Sequence, residues 1–160
     1  MFTVLVGSKN QAAGLVKAHL ATHWISLLDR GDRQFYISGQ FANCQRLFLN
    51  CDDVLKPDIY GAPTREQVQQ ILDFTKNITQ GTVVVNCFAG ISRSTASALA
   101  ILAQHHNCID TAVKDLLAVR PQACPNPVIS QYADEILEFN GKLFEASETI
   151  AKSRLLKYWT

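Results

Sequence analysis

The segment Thr82-Val-Val-Val-Asn-Cys-Phe-Ala-Gly-Ile-Ser-Arg-Ser94 decides how this chain folds. Residues 82–85 are almost wholly apolar, which predicts a strand that is covered on both faces. Residues 94–106 are rich in Ala and Leu and predict a buried helix. A strand that leads through a short loop into a buried helix indicates an α/β unit, and we expect this strand to be the most buried of the chain.

The loop between this strand and helix places Cys87 and Arg93 six positions apart. A loop this short must curl so that its backbone N–H groups point inward, and the following helix adds the positive end of its dipole. A thiolate is favoured there, and a guanidinium offers paired donors to two phosphoryl oxygens. Gly90 suits a position of positive φ. The loop is therefore predicted to bind phosphate beside a reactive cysteine.

A lone cysteine after an apolar strand is more commonly a small buried hydrophobic residue. Arg93 argues against that interpretation of Cys87, because a cation is disfavoured at the N-terminal end of a helix. An anionic partner for Arg93 is the simplest explanation of its position. The strand, the spacing, the glycine and the arginine together favour a functional loop.

The rest of the chain predicts elements that complete an α/β layer. Strands are expected at 2–6, 24–28 and 46–50, and helices over 10–22, from Thr64 to a stop at Gly81, over 109–117, from Asn126 to a stop at Gly141, and over 142–160. Thr64 with Gln67 fits a capping box, and Asn126 before Pro127 fits an N-cap. Residues 30–43 predict a loop that turns at Gly31, Asp32 and Gly39.

Composition limits what kind of protein this is. The chain has 160 residues, with 15 Lys and Arg against 14 Asp and Glu and a net charge of +1, so neither nucleic-acid nor membrane partners are expected. No apolar run approaches the roughly 18 residues that cross a bilayer. The expectation is one domain over 1–160, an α/β fold with a central, mainly parallel sheet flanked by helices, in a cytoplasmic monomer.

Several classes of cofactor site have no support in the sequence. The five cysteines form no C-x-x-C pair, so neither a zinc site nor a disulfide framework is indicated and free thiols are expected. Neither a G-x-G-x-x-G motif nor a Walker loop is present. We therefore expect no metal and no cofactor.

The loop resembles the C-x5-R-S/T signature of cysteine-dependent protein tyrosine phosphatases, and residues 89–94 most resemble the dual-specificity branch and its small bacterial relatives. Downstream, Arg120-Pro-x-x-x-Pro-Asn126 is similar to the connection between the last helices of that family. Upstream, Leu47-x-Leu49-x-Cys51-Asp-Asp-Val54 is similar to the strand and loop that carry its general acid. The resemblance covers roughly residues 47–139 and is most specific at the loop.

The resemblance implies a metal-independent phosphatase that forms a phosphocysteine intermediate on Cys87. The amides from Phe88 to Arg93 and the Arg93 side chain would hold the phosphoryl oxygens, and Ser94 would stabilise the thiolate. Without the resemblance, the position of Ser94 at the start of the predicted helix also fits an ordinary helix N-cap. The implied substrate-binding residues are Phe88, Ala89, Gly90, Ile91, Ser92 and Arg93.

The general acid must be an aspartate on a loop that faces the phosphate. Asp53 is preferred because it is in phase with Leu49 and Cys51 along the strand and because Asp53-Val54 resembles the bacterial relatives. Asp52 and Asp58 remain alternatives. The loop contains no lysine, which favours a phosphoprotein or a small monophosphate over an inositol polyphosphate.

One residue departs from the family pattern, because Asn86 stands where the family has histidine. Asparagine brings no positive charge, so weaker ionisation of Cys87 and attenuated activity are expected. An alternative is a phosphate-binding module without turnover. A further alternative is a different cysteine hydrolase whose base is one of the four histidines, His19, His23, His105 and His106.

Overall fold

The structure, a computed structural model, describes residues 1–32 and 41–159. The predicted turn residue Gly39 lies outside the described residues. In chain order the elements are β1 Phe2–Gly7, α1 Ala12–Ala18, β2 His23–Leu28, β3 Gln45–Asn50, α2 Arg65–Thr75, β4 Gly81–Asn86, α3 Arg93–His106, α4 Ile109–Val119, α5 Pro127–Leu137 and α6 Lys142–Trp159.

The four strands form one sheet in the order β1-β4-β2-β3. β4 pairs with β1 on one side and with β2 on the other, β2 also pairs with β3, and all three pairings are parallel. This confirms the predicted α/β class with a mainly parallel sheet. Because parallel strands end at the same edge of a sheet, the loops that follow the four strands lie along one edge.

Helices cover both faces of the sheet, as the apolar run in β4 predicts. Val83 and Val85 belong to the larger core, which includes buried residues of α2 to α6. Val84 points to the opposite face and packs in a smaller core with Trp24 and the α1 residue Val16. The alternation follows the two-residue period of a strand.

The expectation that β4 is the most buried strand is wrong. Five of the six residues of β2 are buried, against four of six in β4. Both strands are interior strands of the sheet, and β2 also buries Trp24 and Ser26. Strand order decides this burial, and strand order is not visible in the composition of one segment.

The predicted capping box at the start of α2 is confirmed. The Thr64 hydroxyl accepts a hydrogen bond from the Gln67 amide at 3.2 Å, and the Gln67 side chain accepts from the Thr64 amide at 3.1 Å. The predicted stop at Gly81 is wrong, because α2 ends at Thr75 and Gly81 begins β4. The apolar pattern continues because Ile78 packs in the same core from a non-helical turn.

The predicted stop of α5 at Gly141 is also wrong. The helix ends at Leu137, and Glu138 takes the left-handed conformation with φ of 58°. Asp134 organises this end, since its carboxylate accepts hydrogen bonds from the amides of Gly141 and Leu143. Helices commonly end at a glycine in the left-handed conformation. Here Glu138 takes that conformation, and the hydrogen bonds to Asp134 hold the chain that follows.

The last helix packs on the rest of the protein, as its pattern predicts. Leu143 and Ile150 of α6 are buried in the larger core. None of the helices in the described ranges is both long and apolar enough to cross a membrane.

Replacing Thr64 with alanine is expected to lower the free energy of unfolding by about 1 kcal/mol, because the Gln67 amide loses its acceptor. Urea unfolding followed by circular dichroism measures the change. Thr64→Ser is the control, since it retains the hydroxyl and should stay close to wild type. Equal stability of Thr64→Ala and wild type would contradict the assignment of Thr64 as the N-cap that stabilises α2.

Candidate active site

The carboxyl ends of three strands meet at one cleft. Asp29 follows β2, Asp52 and Asp53 follow β3, and the loop that begins at Cys87 follows β4. The cleft has a volume of about 530 Å³ and is lined by Asp29, Asp52, Asp53, Val54, Phe88, Ala89 and Arg93. This volume is in the range of small-ligand sites, which runs from about 300 to 1,000 Å³.

Gly90 allows the loop to approach the end of β1 closely. Its φ is +71°, and a Cβ atom there would lie 2.5 Å from the carbonyl carbon of Gly7 and 2.6 Å from the amide nitrogen of Ser8. The amide of Lys9 also donates to the Phe88 carbonyl at 3.0 Å. The curl of the loop therefore depends on glycine at position 90.

Cys87 lies at the base of the loop and is 2% exposed. Its Sγ is 3.1 Å from the Ser94 hydroxyl, and the Gly90 amide donates to it at 3.3 Å. Burial acts to raise the pKa of Cys87, but hydrogen bonds from Ser94 and Ile91 and the charge of Arg93 outweigh it, so the pKa lies below the ordinary 9.0. The site therefore stabilises the thiolate form of Cys87 relative to that of a free cysteine.

Ser94 does not cap the helix, so that interpretation is wrong. Helix α3 begins at Arg93, with Ser92 as the residue before it, which places Ser94 inside the first turn. Its side chain is fully buried against the Cys87 thiol. Ser92 makes no capping bond either, and its hydroxyl instead donates to Asp53 at 2.7 Å.

Arg93 is a buried cation with one unsatisfied nitrogen. Its Nη1 donates to the Asp29 carboxylate at 2.7 Å and to the Cys51 carbonyl at 2.6 Å. Its Nε is buried and has no hydrogen-bond partner among the described residues. A buried donor of this kind is costly unless an acceptor is supplied. An anion in the cleft would supply one.

Of the three candidate acids, Asp53 contacts the loop. Its Oδ1 accepts hydrogen bonds from the Ser92 hydroxyl at 2.7 Å and from the Asn126 side-chain Nδ2 at 2.9 Å. Asp52 also lines the cleft, but its carboxylate is held by Arg30 at 2.8 Å, and this contact lowers its pKa. Asp58 is exposed and outside the cleft lining.

Arg120 holds the loop from its outer side. Its Nε donates to the Gly90 carbonyl at 2.7 Å and its Nη2 to the Ala89 carbonyl at 3.2 Å. The Ala89 and Gly90 carbonyls thus point towards Arg120, whereas the Gly90 amide points to the Cys87 sulfur on the inner side of the loop. The Arg120-Pro motif of the sequence thus lies beside the loop rather than apart from it.

Asp29 contacts Arg93 directly and is not among the residues predicted from the sequence. A signal for it existed, because it follows the apolar strand that was predicted at 24–28. Residues just after parallel strands collect at one edge of the sheet, where ligands bind. That inference needs β2 and β4 to be neighbours, and the pairing becomes known only from the fold.

Asn86 is directed away from the thiol. Its Oδ1 accepts hydrogen bonds from Trp24 Nε1 at 2.8 Å and from the Ser26 hydroxyl at 2.6 Å, and its Nδ2 donates to the Cys87 carbonyl at 3.3 Å. Through its Oδ1 the residue therefore links β4 to β2. The pKa of Cys87 is lowered with asparagine in place. Activity is a separate property, and its expected attenuation stays a prediction.

Cys51, His105 and His106 do not act on Cys87 in this structure. Burial raises the pKa of Cys51 to about 11, which keeps that thiol protonated. His105 contacts the Thr75 carbonyl at 2.9 Å, and His106 pairs with Asp115 at 2.8 Å. Within the described ranges no group of three or more His, Cys, Asp or Glu side chains could hold a metal ion.

Solved structures with a similar fold are tyrosine and dual-specificity phosphatases and a phosphatase-like protein. DUSP15 matches with a TM-score of 0.65 and 21% identity, over 93% of this chain and 90% of that chain. The human tyrosine phosphatase-like serine/threonine/tyrosine-interacting protein matches with a TM-score of 0.66 and 19% identity, over 86% and 92%. PTPMT1 in complex with PI(5)P matches with a TM-score of 0.62 and 23% identity, over 86% and 91%.

These similarities are similarities of fold. No protein-family model matches the sequence, and no curated protein matches it either. The resemblance that the loop sequence carries is confirmed at the level of the fold, which is that of the dual-specificity-like branch of the cysteine-dependent tyrosine phosphatases.

Replacing Ser94 with alanine is expected to raise the pKa of Cys87, because the hydroxyl at 3.1 Å no longer donates to the sulfur. Alkylation by iodoacetamide across a pH series, followed by mass spectrometry of the Cys87 peptide, measures this pKa.

Ser97→Ala is the matched control for Ser94→Ala. Ser97 is also buried in α3, but its hydroxyl donates to the Arg93 carbonyl and not to sulfur. Its replacement should leave the pKa of Cys87 unchanged. An equal shift in both variants would show that Ser94 acts only through packing.

Proposed function

We propose that this chain, which has the fold of the dual-specificity-like tyrosine phosphatases, is a metal-independent phosphomonoester hydrolase of the protein tyrosine or dual-specificity type. The observation that carries the proposal is the buried Cys87 thiol, whose pKa is lowered at the base of a loop that also presents Arg93. Asp53 lies at the rim of the same loop.

In the first step the Cys87 thiolate attacks phosphorus in line with the leaving oxygen. A sulfur–phosphorus bond forms while the ester P–O bond breaks, and the Asp53 carboxyl gives its proton to the leaving oxygen. The backbone amides of residues 88–93 and the Nε of Arg93 hold the equatorial oxygens. Positioning and charge stabilisation then supply the catalysis, and no metal is required.

In the second step water attacks the phosphocysteine. The Asp53 carboxylate takes a proton from that water, the S–P bond breaks, and inorganic phosphate leaves. The Ser94 hydroxyl donates to the departing thiolate, which makes sulfur a better leaving group. The 3.1 Å separation of Sγ and the Ser94 oxygen supports this role.

The proposed substrates are phosphorylated proteins or small molecules with one phosphate. Phe88 is 60% exposed at the cleft and offers an apolar surface to the group that carries the phosphate. The cleft is also lined by Asp29, Asp52 and Asp53, whose carboxylates disfavour a second phosphate. We further propose that the protein acts as a cytoplasmic monomer.

Wild-type protein is expected to hydrolyse an aryl phosphate such as p-nitrophenyl phosphate in the presence of a chelator and a reductant. Cys87→Ser should lose this activity, because serine at that position does not provide a thiolate. Release of nitrophenol over mildly acidic to neutral pH measures both. If both proteins bind a phosphopeptide and neither hydrolyses it, a binding module without turnover replaces the proposal.

Asp53→Asn is expected to lower kcat by about a hundredfold, since general acid catalysis commonly contributes that much or more. The loss should be larger for phenyl phosphate than for p-nitrophenyl phosphate, because the poorer leaving group has more need of a proton. Steady-state kinetics on the two esters measure it.

Asp58→Asn is the matched control for Asp53→Asn, since Asp58 is an exposed aspartate of the same connection and lies outside the cleft. Its kinetics should equal those of wild type. A large loss in Asp52→Asn with none in Asp53→Asn would move the acid to Asp52.

A further inference from the structure

Asp29 and Arg93 form an ion pair at the edge of the sheet where the strands end, between the segments that follow β2 and β4. Asp29 lies just after β2, and Arg93 is the first residue of α3. The Nη1 to Oδ1 distance is 2.7 Å, while the side chains are 3% exposed for Arg93 and 52% exposed for Asp29. A buried guanidinium is thus held by a carboxylate that is itself half open to solvent.

The two acceptors of Arg93 both act on one nitrogen. Asp29 Oδ1 and the Cys51 carbonyl bind Nη1, at 2.7 and 2.6 Å. Nε, on a different side of the planar group, has no partner among the residues described. Because the guanidinium is rigid and planar, two acceptors on Nη1 fix the direction of every other N–H.

The alternative is that Asp29 occupies the place of the phosphate. The geometry argues against it, because Asp29 binds Nη1 and leaves Nε without an acceptor. An anion that replaced Asp29 would satisfy Nη1 and still leave the buried Nε unpaired. An anion that binds together with Asp29 satisfies both nitrogens.

We propose that Asp29 is a positioning residue that holds Arg93 by Nη1 so that Nε is presented to a phosphate in the cleft. The inference rests on the proposed function for the identity of the ligand and adds a residue that acts through Arg93 without touching the phosphate. Without the carboxylate, Nη1 keeps only the Cys51 carbonyl as an acceptor, so one contact instead of two fixes the direction of the guanidinium.

The test measures binding of inorganic phosphate by calorimetry, with Asp29→Ala and Asp29→Asn made in the wild type and in Cys87→Ser. Loss of a hydrogen bond between charged groups predicts that Asp29→Ala weakens phosphate binding about tenfold or more. Asp29→Asn retains an oxygen acceptor for Nη1 and is expected to recover most of the affinity. This recovery separates positioning from a general effect on folding.

Asp115→Ala is the matched control for Asp29→Ala. Asp115 is also a partly exposed aspartate, 45% exposed against 52% for Asp29, and it pairs with His106 at 2.8 Å. It does not line the cleft, so phosphate binding should not change. Thermal melting of all variants reports whether each one folds. If Asp29→Ala does not fold, Asp29→Ser replaces it as the truncation.

Phosphate binding by Asp29→Ala that equals or exceeds that of wild type overturns the inference, and tighter binding would identify Asp29 as a competitor of phosphate. Equal weakening in Asp29→Ala and Asp29→Asn, with equal loss of thermal stability, also overturns it. The proposed function fails separately, when the wild type binds phosphate but hydrolyses no ester. A wild type that binds no phosphate overturns both.

Discussion

The burial of the Arg93 guanidinium is the constraint on which the site depends. A cation that is 2% exposed needs acceptors on its N–H groups, and the fold supplies them from two neighbouring strand ends, Asp29 after β2 and the Cys51 carbonyl after β3. These contacts require β2 to lie between β3 and β4, which is the order observed. The Nε of Arg93 is then the donor that the described residues leave without an acceptor, and it remains available to a ligand.

The thiol of Cys87 depends on a balance between burial and hydrogen bonding. Burial alone would keep it protonated, as it does for Cys51, whose pKa rises to about 11. Around Cys87 the donors from Ser94 and Ile91 and the charge of Arg93 outweigh burial, so its pKa lies below the ordinary value. Asn86 takes no part in this balance through its side chain, which bonds to Trp24 and Ser26 of β2. Its replacement of histidine therefore leaves the donors at sulfur in place.

Sequence patterns succeeded where local chemistry decides the backbone. The capping box at Thr64, the N-cap at Asn126 and the apolar run of β4 all appear as expected. Patterns failed at the C-terminal ends of two helices. Helix α2 ends at Thr75, although the helical spacing of apolar residues continues to Ile78. At the end of α5 it is Glu138, and not a glycine, that adopts the left-handed conformation.

By itself the sequence determined the α/β class and the loop from Cys87 to Arg93, because both depend on residues that are close along the chain. Only the tertiary structure decided that Asp53 contacts Ser92, that Arg120 holds the loop carbonyls and that Asp29 pairs with Arg93. These contacts join residues 30 to 64 positions apart. The physical reason is that strand order and the packing of loops at one sheet edge bring such residues together, and neither leaves a periodic signal in a single segment.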